Sequence, residues 1–177
     1  MQTVQKFQLR FASSMLPELS KRYSFQDDVD ALDAGKKIRS GQYTRANLET
    51  IFEWKTNGRG RSRLAKNTDE EIVDALRLAV EAKTDRAAIA VLTGLNGVQV
   101  PVASAILTAI DPERFTIIDF RALEALMAIK PMITTNFYLN YLGQCRELAK
   151  ENNISLRTLD RALWQWSKEN SGSATSR

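Results

Sequence analysis

Asp119 closes the stretch DPERFTIID and opens FRALEALMAI, so one carboxylate stands between a short apolar run and a helical pattern. A carboxylate placed there can stabilise positive charge developing on a reacting carbon, or orient a water for attack. It can equally cap the helix that follows, because aspartate accepts from the unpaired N–H groups of a first turn. Composition narrows the chemistry further. The chain has no histidine and a single cysteine, Cys145. That excludes Ser-His and Cys-His nucleophilic machinery, an internal disulfide, and zinc or iron–sulfur centres built on cysteines. Chemistry here must rest on carboxylate, lysine, tyrosine, serine or arginine, and no metal site formed by side chains is expected.

A second constellation lies upstream in LNGVQVPVASAIL, Leu95 to Leu107. Gly97, Val98 and Gln99 form a turn signal, and Pro101 follows at the first turn of a small-residue apolar helix. Proline suits that position because its missing N–H would have had no helical partner. The small residues Ala103 and Ser104 let two helices approach closely. Free N–H groups at such a turn can meet an anion. The segment WKTNGRGRSRLAKN carries Lys55, Arg59, Arg61, Arg63 and Lys66 around two glycines. A flexible basic loop can track a phosphate backbone; it can also be a solvated connection between helices. Arg121, two residues beyond Asp119, can reach a phosphate or pair with a helix carboxylate. The formal net charge of +4 tilts the whole toward an anionic partner.

The elements that must hold these residues read as helices almost throughout. Ser24 with Asp27 signals one start, Thr44 another, and Thr68 with Glu71 forms a capping box. Thr84, Asn136 and Ser155 precede further periodic stretches. A plain helix is expected near the N-terminus. In the last helix, Leu156, Leu159, Leu163 and Trp166 form the expected core stripe, with Trp164 off that face. The expected fold is all-α, a single helical domain over 1–170. Within it a hairpin of two helices spans about 84–110 and an Asp-bearing segment spans 111–130. A disordered tail over 171–177 completes the chain. No apolar run approaches the roughly 20 residues of a membrane span, and the N-terminus lacks a secretory apolar core. A cytoplasmic protein without a membrane partner is expected.

Taken together, TDRAAIAVLTGLNGVQVPVASAILTAIDPERFTIIDFRALEAL resembles the helix-hairpin-helix DNA glycosylase superfamily. Leu95, Gly97, Val98, Ala103 and Leu107 match the hairpin pattern, and Ile118-Asp119 matches the apolar-Asp pair. The match covers about forty residues. The resemblance implies a compact helical fold, DNA as partner, and phosphate binding by the turn at Gly97, Val98 and Gln99. It also implies a nucleoid-associated location and a sodium or potassium ion held by hairpin carbonyls. Asp119 would then assist hydrolysis of an N-glycosidic bond. Two positions depart from the pattern. Pro101 stands where the lyase members carry a nucleophilic lysine, so Schiff-base strand cleavage is excluded and a monofunctional N-glycosylase is implied. Gln99 replaces the second hairpin glycine and adds a side chain at the phosphate turn.

Two readings stand beside the enzymatic one. A non-catalytic helix-hairpin-helix module for nucleic acid or protein would keep the fold and use Asp119 only as a cap. A helical interaction protein without any nucleic-acid role would owe nothing to Arg59, Arg61 and Arg63. Base flipping needs a stacking surface, and the sequence singles out no pocket wall among Trp54, Trp164, Trp166, Tyr138 and Tyr141.

Overall fold

A computed structural model describes residues 6–25, 27–126 and 131–171. The described residues are helical and contain no strand. The chain divides into two units by contact: Gln26–Phe115 is one, and Met1–Phe25 with Thr116–Arg177 is the other.

The unit Gln26–Phe115 holds six helices. They are α2 (Val29–Arg39), α3 (Arg45–Thr56), α4 (Arg61–Leu64), α5 (Asp69–Glu81), α6 (Asp85–Thr93) and α7 (Val100–Ile110). Side-chain caps set several of the starts. Thr44 accepts from the Asn47 N–H, Thr84 from the Ala87 N–H, and Thr68 and Glu71 complete the capping box of α5. α2 starts later than Ser24 and Asp27 suggest: the Asp27 carboxylate accepts from the Val29 N–H at 3.0 Å, and Asp28 is the cap position.

α7 is the centre of this unit. All its residues are buried except Pro101 and Val102, as expected of a helix with apolar or small residues on every side. α2, α3 and α6 pack on it. The crossing with α2 depends on Gly35, where a Cβ would lie 1.9 Å from the Ala109 carbonyl oxygen. α5 lies against α6, with Ile72, Ala75, Leu76 and Ala79 inward.

The other unit is built on α10 (Leu156–Asn170), against which α1 (Leu16–Lys21), α8 (Phe120–Ala125) and α9 (Thr135–Glu151) pack. Residues 6–12 form no helix and lead into a short 3-10 turn at Ser13–Met15, in place of the expected helix, of which 1–5 lie outside the described residues. Backbone pairing explains the difference. The N–H groups of Gln8 and Arg10 donate to the carbonyls of Leu126 and Ala125, satisfying the C-terminal end of α8. Phe7 meanwhile sits edge-on against Phe137 and Tyr141.

α9 begins earlier than Asn136 indicates, with Thr134 accepting from the Phe137 N–H. On α10, Leu156, Leu159 and Leu163 are buried as expected, whereas Trp166 is only half-buried, stacked on Phe11 at 5.4 Å. Its place inside is taken by Gln165 and Ser167, both held by hydrogen bonds. Of the expected tail, Ser171 caps α10 and 172–177 lie outside the described residues, as do 127–130 of the Asp-bearing segment. Among the described residues no helix is long and apolar enough to cross a membrane.

Candidate nucleic-acid interface

The unit Gln26–Phe115 brings the turn signal and the basic segment together. α6 and α7 pack side by side and are joined by the turn Gly94–Gln99. Gly97 adopts φ +82°, and a Cβ on it would lie 2.9 Å from the Leu64 amide nitrogen. Glycine is therefore required twice, by the left-handed backbone and by the close approach to α4. Val98 is turned inward, buried, with its N–H bonded to Leu95. Gln99 is exposed, in extended conformation, and its side chain does not cap α7. Among the described residues no protein acceptor meets the N–H of Gly97, Gln99 or Val100. Three such donors beside the positive end of an eleven-residue helix suit an anion.

The contact between the turn and the basic segment is organised by a residue the sequence did not single out. Asn67 is buried, and its carboxamide is fully used. Its Nδ2 donates to the Leu64 carbonyl at 2.8 Å and the Asn96 carbonyl at 3.0 Å, and its Oδ1 accepts from the Asn96 N–H at 2.8 Å. Arg45 then binds the Asn67 carbonyl from outside. An asparagine in a loop carries no periodic signal, so nothing local could have marked it.

The basic segment is folded rather than a flexible loop. α3 ends at Asn57 with φ +50°, and Gly58 and Gly60 are also left-handed, so the chain reverses into α4. Leu64, fully buried, pins that turn of helix. The cations are consequently held in different states. Lys55 is half-buried on the last turn of α3. Arg59 is exposed, its Nε donating to the Thr56 carbonyl at 3.2 Å. Arg61 pairs with Glu53 at 2.6 Å. Arg63 and Lys66 are exposed and within reach of no carboxylate among the described residues.

Asp119 and Arg121 belong to the other unit. Asp119 is the N-cap of α8, and one of its oxygens accepts from the Ala122 N–H at 2.9 Å. Thr116–Ile118, which lead to it, belong to no helix and are buried. Two tyrosines of α9 satisfy this segment: Tyr138 donates to the Thr116 carbonyl at 3.0 Å and Tyr141 to the Ile117 carbonyl at 2.8 Å. Both rings are fully buried, so they serve as struts under Asp119 and not as stacking surfaces. Burial holds the Tyr141 hydroxyl protonated, pushing its pKa well above the usual phenol value, with the neighbouring Cys145 thiol adding to the effect. Burial likewise pushes the Cys145 thiol up to about 12, which makes it an inert core group.

Arg121 forms no direct salt bridge with a carboxylate of its own helix, although the Ser167 hydroxyl first, and then Ser171 and the charges of Arg10 and Arg121, hold the Glu124 carboxyl below the usual value. Its guanidinium lies over the Trp164 ring at 5.1 Å and over Phe120 at 5.1 Å, with Nη1 toward the Ser167 hydroxyl at 3.4 Å. Trp164 is half-buried and also carries the Lys168 ammonium at 5.4 Å. Tyr23 packs edge-on to it and is itself faced by Arg157 and Arg161. Off the core stripe, as read from the sequence, thus means a place within an aromatic and cationic surface.

Among the described residues no group of acidic, cysteine or histidine side chains could hold a metal ion. Comparison with family models, with curated proteins and with solved structures found no match.

Proposed function

We propose that this chain is a DNA-binding protein of the helix-hairpin-helix type, resembling a monofunctional base-excision DNA glycosylase. The observation that carries the binding reading is the turn at Gly97. Its left-handed glycine and the free N–H groups of Gly97, Gln99 and Val100 are locked by Asn67 against α4, which presents Arg63. A duplex backbone would take the amide donors and the exposed cations together, through charge-assisted hydrogen bonds. The exposed Gln99 side chain leaves the turn's amides in place and offers a further donor to a phosphate. A monovalent cation held by turn carbonyls is compatible with this reading, since no side-chain ligand is required.

The catalytic part rests on Asp119. Its carboxylate is fixed by the Ala122 N–H on a buried segment braced by two tyrosines. A fixed anion can stabilise an oxocarbenium-like sugar as the base departs, and can orient the water that attacks it. With Pro101 in place of an amine, no covalent enzyme–sugar adduct forms at that position.

The test is release of free base from duplexes bearing damaged and normal bases, measured for the wild type and Asp119→Asn. Asparagine caps a helix as well as aspartate does, so the variant isolates the charge. Base release lost in the variant supports the enzyme. Release retained removes Asp119 from the mechanism. Duplex binding with no release from any substrate leaves the hairpin as a binding module.

A further inference from the structure

Trp164, the two cations on it and the exposed ring beside it form a surface that the hairpin reading does not use. Arg121 and Lys168 each lie about 5 Å from the Trp164 ring, which places two positive charges within roughly two ring-to-cation distances of one another. Neither forms a salt bridge among the described residues, although the Ser167 hydroxyl and, to a lesser degree, the Arg121 charge hold the Glu124 carboxyl below its usual value. Arg121 contacts the Ser167 hydroxyl and Lys168 the Ser24 hydroxyl at 2.8 Å. The Glu124 carboxylate, bonded to the Ser167 and Ser171 hydroxyls, feels the Arg121 charge and answers part of it, while Lys168 is met only by a neutral hydroxyl. Phe120, under Arg121, is 66% exposed, the most exposed aromatic ring among the described residues. Apart from the Arg121 guanidinium, this ring at the first position of α8 stands largely in water among the described residues.

We propose that Phe120, Arg121, Trp164 and Lys168 form a binding surface for unpaired nucleotides of a single nucleic-acid strand. The two features of the patch match the two features of such a strand. Arg121 and Lys168 meet successive phosphates, each releasing condensed counterions. Phe120, with Arg121 behind it, offers an exposed ring on which a base stacks regardless of sequence. A duplex hides its base faces, so it can use the cations but not the exposed ring. An acidic peptide would satisfy the charge and leave Phe120 without a function. The proposal goes beyond the hairpin reading and does not depend on Asp119 acting in catalysis.

The experiment measures binding of a fluorescein-labelled 15-nucleotide oligothymidine, and of a labelled 15-base-pair duplex, by anisotropy at two salt concentrations. The proteins are wild type, Phe120→Ala, Lys168→Gln and Gly97→Ala. Phe120→Ala is expected to weaken single-strand binding about tenfold, in line with the loss of one stacked base, and to leave duplex binding within about twofold. Lys168→Gln is expected to lower the salt slope on the single strand by about 0.7. Gly97→Ala should do the opposite of Phe120→Ala, weakening duplex binding more than single-strand binding, so failure of one site is distinguishable from failure of the other. Because Phe120 is solvent-exposed, its removal should not change the melting temperature, which circular dichroism checks. Single-strand binding unaffected by Phe120→Ala, or equal loss on both ligands, overturns the proposal. So does competition by heparin at the same charge concentration as effective as competition by unlabelled oligothymidine.

Discussion

Asn67 holds Asn96 by three contacts at once, through the Asn96 carbonyl, N–H and side-chain amide. Through them a loop carrying cations and a turn carrying free amides become one rigid corner. The consequence is that the geometry of the anion-facing donors depends on a side chain that faces no solvent. Asn67→Ala leaves the Asn96 N–H and carbonyl unpaired and partly buried, at a cost of about 1–3 kcal/mol. For a chain of this size that corresponds to a fall of roughly 2–10 °C in melting temperature. Duplex affinity should fall as well, although no residue that faces the strand has changed. Calorimetry and anisotropy on the same variant check both effects; a thermally weakened protein with unchanged duplex affinity would separate the corner from binding.

Gly35→Ala should be the most damaging glycine-to-alanine change among the described residues. Its Cβ would overlap the Ala109 carbonyl at 1.9 Å, backbone against backbone, so neither side can give by rotating a side chain. Overpacking of this kind costs about 3 kcal/mol or more. Gly143→Ala, with open space around the new methyl, should instead be neutral or slightly stabilising, since alanine is the better helix former. Urea titration of the two variants gives the comparison, and equal midpoints would contradict the α2–α7 crossing.

The cations near the turn should not be equivalent. Arg63 is exposed and has no carboxylate, whereas Arg61 is engaged with Glu53. Arg63→Ala is expected to lower the magnitude of the salt slope of duplex binding by about 0.9. Arg61→Ala should have a smaller effect, because part of its charge is already answered. Glu53→Gln should then strengthen binding by releasing Arg61. Equal effects from the two arginines would show that the Glu53 contact does not persist in solution.

Alkaline pH should expose the buried cluster of α9. The native state keeps the Cys145 thiol protonated up to about pH 12, against an ordinary value of 9.0, and keeps Tyr141 protonated as well. The unfolded chain releases these protons at lower pH. Stability is therefore fully present below about pH 9 and falls as pH rises toward 12, by about 1.4 kcal/mol per pH unit for each such group. Cys145→Ala should make the decline shallower from pH 9 to 10. Urea midpoints measured from pH 8 to 11 check the slope. In the native protein at pH 8, Cys145 should also resist a disulfide reagent that labels it at once in urea.

Much of the fold was legible because its signals are local. A threonine or serine followed three residues later by a backbone donor marks a helix start, and Thr44, Thr68, Thr84 and Ser155 all mark theirs. Gly97 was legible as part of a turn for the same reason, since a glycine stands between two apolar helical stretches; its left-handed backbone is seen only in the structure. What was not legible depends on partners far along the chain. Residues 6–12 are not helical because the end of α8, more than a hundred residues later, supplies acceptors for the N–H groups of Gln8 and Arg10. Tyr138 and Tyr141 carried no assigned role in the sequence, because their hydroxyls act on carbonyls of the segment before Asp119, 22 and 24 residues away. The basic segment read as a flexible loop because two glycines and five cations dominate it; the single buried Leu64 and the reach of Asn67 decide otherwise.

The most direct test of the central claim is the salt dependence of duplex DNA binding, measured for the wild type beside Gly97→Ala. Alanine at Gly97 strains a left-handed residue by about 1–2 kcal/mol and forces the turn away from α4. For the wild type, log Kobs is expected to fall linearly with log salt with a slope of about −3, one phosphate each for roughly three cations. Gly97→Ala is expected to bind at least tenfold more weakly at every salt concentration while remaining folded. A flat salt response, or a folded Gly97→Ala variant that binds duplex as tightly as the wild type, would contradict duplex binding at this turn.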